Sequence, residues 1–434
     1  LGVSGWNDCW PNTMIRLLEN IEAPCRVVSG AWAHVYPNLG GPGPMIGFLQ
    51  LALEWWDHWL KDIDNGVMNK AKFTTFLQDS HDPNPNPVER PGRWIGETGW
   101  PTPNISTRRY RMAPETLSEQ ISETTGFVNI YSPLSLGLKT GEYMPISGPA
   151  ELPQDQSTED ALSVCFEDKP LTETLDLLGT TNVYLRLSSD CMSGVIAARL
   201  CDVAPDGTST LISYGVLNLK QRNGRESLAK ITPGESMDVI VRLNDIGWSA
   251  KPKNKLRLAL SSQLWPMAWP VSERATITLD LAHCYLDLPV RNSNAGGEIK
   301  IPFDPPVAAD PPPHEIILPP QASRHVHSDI EKGEIVYEVK VDGGKTKFEA
   351  TNLTYGSNNS QKYTIVEGDP LSACIEYQSG FSFLRDGWDI RTESELIATC
   401  DASNFMLKGR ISGFENDQQV FVRKWDVKIP RLVF

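Results

Sequence analysis

The chain has 434 residues, of which 40% are hydrophobic and 22% charged, enough for two or three domains that each bury a core. Its net charge of −14 argues against a nucleic-acid partner, which would call for a basic face, and no apolar run reaches the roughly 18–20 residues of a membrane span. The eight cysteines show no C-x-x-C pair and no ligand spacing, so they form neither a zinc signature nor a disulfide scaffold, and Cys165, Cys201 and Cys284 are expected as buried free thiols.

Leu1 to Asp8 reads as a short buried strand ending in a Gly5-Trp6 turn that carries an aspartate. Pro11 to about Ile21 follows as a helix, since proline suits a first turn and Ile15, Leu17, Leu18 and Ile21 recur near helical spacing. Arg26 to Gly30 is a second strand, and Ser29-Gly30-Ala31-Trp32-Ala33-His34 ends it in a loop carrying a histidine. An acid after one strand and a histidine after the next match the tail of an α/β-hydrolase triad, whose chain order is serine, acid, histidine. A strand–helix–strand unit with a right-handed crossover sets the two strands side by side, so that the loops beyond them can meet. The competing readings are a helix cap for Asp8 and an ordinary loop residue for His34.

The nucleophile pattern G-x-S-x-G occurs nowhere in the 434 residues. Gly2-Val3-Ser4-Gly5 lacks the spacing and lies on the strand that feeds Asp8. The expectation is therefore the C-terminal piece of a larger hydrolase, with its serine ahead of Leu1 and little activity by itself. Gly47 to Lys61 reads as a second helix, whose broad apolar face calls for a parallel sheet as cover. Residues 1–71 form the α/β portion.

From about Lys72 the pattern becomes short β-branched and aromatic strands separated by turns, beginning with Phe73 to Leu77. Residues 72–290 are expected to be a jelly-roll sandwich, interrupted by a short helix around Thr172–Leu178. Residues 291–323, with Pro305-Pro306, Pro311-Pro312-Pro313 and Pro319-Pro320, read as an extended strap. Residues 324–434 return to strands as a further β-rich layer, with Asp342-Gly343-Gly344 as a turn. The fold class expected is mainly β, with an α/β piece at the N-terminus.

Trp32 beside His34, and Trp265 with Trp269 in a proline-flanked loop, are candidates for an apolar substrate pocket, against the plainer role of packing between domains. His58 lies on the aromatic helix four residues after Glu54 and reads as structural. His325, His327 and Asp329 form an H-x-H-x-D run that strand alternation explains equally well, so no metal site is assigned.

Gly5-Trp6-Asn7-Asp8, Gly30-Ala31-Trp32-Ala33-His34 and Trp55-Trp56-Asp57-His58-Trp59-Leu60-Lys61 resemble the C-terminal half of the catalytic domain of the CocE/NonD hydrolases. Pro91-Gly92-Arg93-Trp94, Cys201 to Gly207, Gly215 to Leu219, and Leu256 to Ser262 with Trp265-Pro266 resemble the jelly-roll domain that follows it. That family includes cocaine esterase, α-amino acid ester hydrolases and S15-type Xaa-Pro dipeptidyl-peptidases. The resemblance runs over roughly residues 1–290 and leaves the last stretch without assigned chemistry.

The resemblance implies a serine hydrolase in which Asp8 is the triad acid and His34 the triad base, acting on a small-molecule ester or a short peptide. It implies no metal and no organic cofactor. Substrate, oligomeric state and compartment stay open, with a homo-oligomer allowed and the cytoplasm slightly favoured. The alternatives are a non-catalytic jelly-roll binding module and an inactive homologue without its serine.

Overall fold

The computed structural model describes residues 1–146, 148–292, 296–297 and 302–432. Its first elements are β1 (Gly2–Gly5), α1 (Asn12–Asn20), β2 (Val27–Gly30) and α2 (Phe48–Lys61). β1 and β2 pair in parallel, with Gly2 opposite Val27 and Gly5 opposite Gly30. α1 starts after Pro11 and buries Ile15 and Leu18 against Trp6 and Val27. α2 buries Leu51 against Val28, Trp32 and Phe76, the opposite side of the same sheet, and Trp55 is buried as well. Only part of its apolar stripe is covered among the described residues: Leu53, Trp56 and Leu60 are exposed.

β3 (Phe73–Asp79) and β4 (Gly92–Glu97), within the stretch expected as jelly roll, continue this sheet. β3 lies parallel to β2 and antiparallel to β4. Its side chains explain the placement. Phe73 and Leu77 pack on the α1 side and Phe76 on the α2 side, so the strand is buried on both faces, as an interior strand of a covered sheet must be. The end of β3 pairs in parallel with Ile246–Ala250, which pairs antiparallel with Leu175–Gly179, so the α/β sheet runs directly into the β-sandwich. The expected helix at Thr172–Leu178 is corrected here. Leu175 to Gly179 form a wholly buried strand, because cross-strand pairing overrides the helix propensity of their leucines.

In the jelly roll, Val195–Val203 is buried throughout and lies between Ser209–Asn218 and Lys255–Ser261. Asn182–Ser189 alternates buried and part-buried residues, the mark of a strand with one face on the core. Phe166, Leu185, Ile196, Leu258 and Leu286 belong to that core. The Arg199 guanidinium is buried within the sandwich and is neutralised by Asp160 at 2.9 Å. Cys201 and Cys284 are buried free thiols, whereas Cys165 is only part-buried.

The proline-rich connector straps the start of α2. Phe303 meets Trp94 edge-on with ring centres 4.8 Å apart, and the Asp304 carbonyl accepts the Gly47 N–H at 2.7 Å. The extended segment ends earlier than residue 323, however. His314–Leu318 and Gln321–Asp329 are strands that both pair with Glu334–Phe348. Asp342-Gly343-Gly344 is not a turn but a bulge within that long strand, where the Asp342 carboxylate accepts the Gly344 N–H at 2.8 Å and Gly344 takes φ +70°.

From there the chain runs as an antiparallel meander, a second sheet separate from the first. Pairing register places Tyr363, Ile375, Leu396 and Trp425 on one face, and Lys362, Glu376, Glu395 and Arg410 on the other. Tyr363 and Ile375 pack on the jelly roll, while Leu396 and Trp425, further across, are exposed. Glu367 fastens the junction by accepting hydrogen bonds from the Leu134 N–H at 3.0 Å, the Ser135 N–H at 2.9 Å and the Ser135 hydroxyl at 2.6 Å.

Candidate active site

The loops that leave β1 and β2 are laced together by backbone bonds. Trp6 N–H donates to the Gly30 carbonyl at 2.9 Å and Asn7 N–H to the Trp32 carbonyl at 3.1 Å. The Asn7 side-chain amide donates to the Ala31 carbonyl at 2.6 Å. Such close approach needs a residue without Cβ at position 5, because a Cβ there would lie 1.9 Å from the Trp32 carbonyl oxygen.

This lacing brings Asp8 and His34 together. Asp8 Oδ2 lies 3.0 Å from His34 Nδ1, and Asp8 Oδ1 accepts the Trp10 N–H at 3.0 Å. α1 takes no side-chain cap, so the capping role considered for Asp8 is not the one it plays. The His34 backbone N–H donates to the Pro145 carbonyl at 2.8 Å, and the Trp10 ring stands edge-on to the imidazole with centres 4.9 Å apart. A carboxylate accepting at Nδ1 fixes the tautomer with its lone pair on Nε2. That nitrogen has no hydrogen-bond partner among the described residues, and the side chain is 40% exposed.

The pair opens on a cleft of about 510 Å³ whose walls include Trp32, Tyr36, Phe48 and Trp56. Trp32 lines that cleft, its indole N–H donating to the Pro44 carbonyl at 2.8 Å. The adjoining Cys9 thiol is pushed up to about 12, by burial first and then by the Asp8 carboxylate. It stays protonated near neutrality and is a poor nucleophile there.

Trp265, expected with Trp32 as a pocket residue, is corrected. It is 1% exposed and packs with Leu134, Trp269, Ile365 and Tyr363 at the junction of the jelly roll with the second sheet. It does not line the Asp8–His34 cleft. His58 Nδ1–H donates to the Ile63 carbonyl, 3.1 Å away, while the Glu54 carboxylate accepts from Lys70. Asp329 binds the N–H groups of Glu331 and Lys332 at 3.1 and 3.2 Å, which accounts for it as a turn residue beside His325 and His327.

Sequence reasoning missed Cys9, Tyr36, Phe48 and Trp56 as neighbours of the pair. Adjacency to Asp8 signalled the first, and Phe48 and Trp56 belong to the apolar stripe on α2.

An α/β-hydrolase-type sheet portion leading into a jelly-roll sandwich, with a further β-rich extension, defines the class of architecture. The chain belongs to the CocE/NonD hydrolase family, and its residues 65–316 match the model of the X-Pro dipeptidyl-peptidase C-terminal non-catalytic domain. Asp8 and His34 lie ahead of that matched segment. The chain is 22% identical over 291 residues to the cocaine esterase of Rhodococcus sp. (strain MB1 Bresler), covering 61% of this chain and 48% of that protein.

Among solved structures, an aminopeptidase from the marine sediment archaeon Thaumarchaeota archaeon superposes with a TM-score of 0.52 at 13% identity, over 66% of this chain and 53% of its own. A CocE/NonD family hydrolase from Staphylococcus aureus gives 0.50 at 12% identity, over 67% of this chain and 53% of its own. At such identities the likeness is one of fold. The chain spans about half the length of the curated relative that it matches, 48% of it.

Proposed function

We propose that Asp8 and His34 are the acid and the base of a serine-hydrolase triad, the serine lying outside these 434 residues, in an enzyme that cleaves an ester or a short peptide. The observation that carries this is the 3.0 Å Asp8–His34 bond formed beyond two adjacent parallel strands, with Nε2 left unbonded in an apolar cleft. Chemistry then follows two-step acyl transfer. His34 Nε2 takes the serine proton as the hydroxyl attacks the carbonyl, and returns it to the leaving group. Asp8 holds the imidazole in place and stabilises the imidazolium. Water, deprotonated by the same nitrogen, releases the acyl group. Trp32, Phe48 and Trp56 offer the cleft's apolar walls to the acyl or leaving group.

The test is turnover of a nitrophenyl ester and an Xaa-Pro anilide by the intact protein, comparing wild type with His34→Ala. The variant is expected to lose at least about a thousandfold in kcat while its thermal unfolding curve is unchanged. Near-normal turnover in His34→Ala removes the assignment.

A further inference from the structure

Cys9 has no part in acyl transfer, yet its thiol lies beside the Asp8–His34 pair. One sulfur of Cys9, one carboxylate oxygen of Asp8 and one ring nitrogen of His34 all lie within 4.8 Å of one another, the one such group of three found among the described residues. A carboxylate, an imidazole and a thiol are the ligand types that zinc accepts, and the thiolate biases the set toward thiophilic cations over magnesium or calcium. We propose that Asp8, Cys9 and His34 form a binding site for a thiophilic divalent cation, Zn²⁺ or Cd²⁺, and that occupancy of this site switches off the Asp8–His34 pair.

Geometry supports three protein ligands and an open position. Zinc sits about 2.0–2.3 Å from such donors, so tetrahedral ligand atoms are about 3.3–3.8 Å apart. The Asp8–His34 pair is already at 3.0 Å, and the widest pair in the group has to close by at most about an ångström. The half-exposed imidazole and the part-buried thiol are on loops beyond strand ends, where side-chain rotation supplies that adjustment. The fourth position faces the cleft, where water completes the shell. As the metal–sulfur bond forms, the Cys9 proton passes to solvent and the cation sheds bound water, with no change of oxidation state.

The cation takes the carboxylate oxygen and the Nδ1 that the hydrogen bond uses, the Nδ1 proton passing through solvent to Nε2, whose lone pair is then no longer free to accept a proton. The imidazole then loses the acceptor that fixes its tautomer. Cation binding stands on the geometry alone; only its inhibitory consequence rests on the hydrolase reading above.

Binding is measured by titrating the purified protein with Cd²⁺ and following thiolate-to-metal charge-transfer absorbance. One equivalent is expected to saturate the band. Cys9→Ser should abolish it, and Asp8→Asn and His34→Ala should each weaken binding at least about tenfold. Cys191→Ser, which changes another part-buried thiol, should leave it intact. Absence of a saturable band in the wild type, or its survival in Cys9→Ser with native circular dichroism, overturns the site.

A second arm measures ester hydrolysis by the intact protein against Zn²⁺, each variant normalised to its own metal-free rate. Inhibition reversed by chelator in the wild type, and at least about tenfold less sensitive in Cys9→Ser, is expected. Equal sensitivity in the two overturns the switch. Absence of any hydrolysis counts against the hydrolase reading, while the Cd²⁺ titration still decides the site.

Discussion

The jelly roll and the C-terminal sheet are both antiparallel β-structure, yet they keep their side chains in opposite conditions. Val195–Val203 is buried at every position, whereas Gln418–Pro430 is exposed at every position. The first strand lies in a closed layer whose core includes Phe166, Ile196 and Leu258. The second is the outer strand of a meander whose apolar face meets the jelly roll at other strands, around Tyr363, Ile365, Ile375 and Phe405. Both strands are hydrogen-bonded along their length, the first on both edges and the second on one, and neither arrangement by itself sets how far the side chains are buried. The difference lies in what covers the side chains, since burial of apolar area is the dominant favourable contribution.

This contrast can be tested with a graded set of changes. Phe166→Ala, in the sandwich core, should cost about 3–5 kcal/mol in urea unfolding, a transfer loss plus a cavity. Acid should strike the same region next. His81, hydrogen-bonded at Nδ1 to the Asp79 carbonyl and packed against Trp248, is lowered to about 4, chiefly by burial and then by the charge of Arg90. Below pH about 6.5 the unfolded chain binds a proton that the native state refuses until about 4. Stability contributed above that window therefore falls as pH drops through it, by up to about 3 kcal/mol. His81→Gln should flatten that part of the pH–stability curve.

At the junction, Glu367→Ala removes the acceptor for two backbone N–H groups and a hydroxyl, and should cost about 2 kcal/mol. It should also separate the unfolding of the C-terminal sheet from that of the jelly roll in calorimetry. The smallest effect is expected from Trp425→Ser, which should cost under about 1 kcal/mol because the ring is already 41% exposed. A Trp425→Ser variant as damaged as Phe166→Ala would break the comparison and show that the outer sheet is covered after all.

Periodicity made the first two strands, both long helices and most sandwich strands legible, because an apolar stripe at period 3.6 or 2 reports directly on one buried face. It failed where burial is two-sided or decided at a distance. β3 is apolar on both faces, so nothing in its pattern distinguishes a parallel-sheet interior from the sandwich that follows. Thr172 to Leu178 contains leucine and glutamate, good helix formers, and its distant partners Ile246–Ala250 and Val290–Arg291 make Leu175–Gly179 a strand. Prolines at 311–313 and 319–320 concealed the β-branched Ile316-Ile317 strand between them.

Legibility of the site divides in the same manner. Asp8 and His34 were readable because each follows a recognisable strand, and strand ends in a parallel unit converge. Trp265 was not, since its role is set by Tyr363 and Ile365, a hundred residues further on by sequence and beside it in space. The walls contributed by Phe48 and Trp56 were visible only as a helix stripe in search of a cover.

The lacing of Asn7 and Gly5 to the loop of Trp32 makes the spacing of acid and base a property of peptide planes. One wall of the cleft, by contrast, is made by side chains on another element, Phe48 and Trp56 of α2. The Asp8–His34 geometry and part of the shape of the cleft are therefore written in different parts of the chain. Replacing Phe48 or Trp56 can redraw what fits the cleft without moving Asp8 relative to His34, so the shape of that wall has a route to change that leaves the 3.0 Å contact untouched.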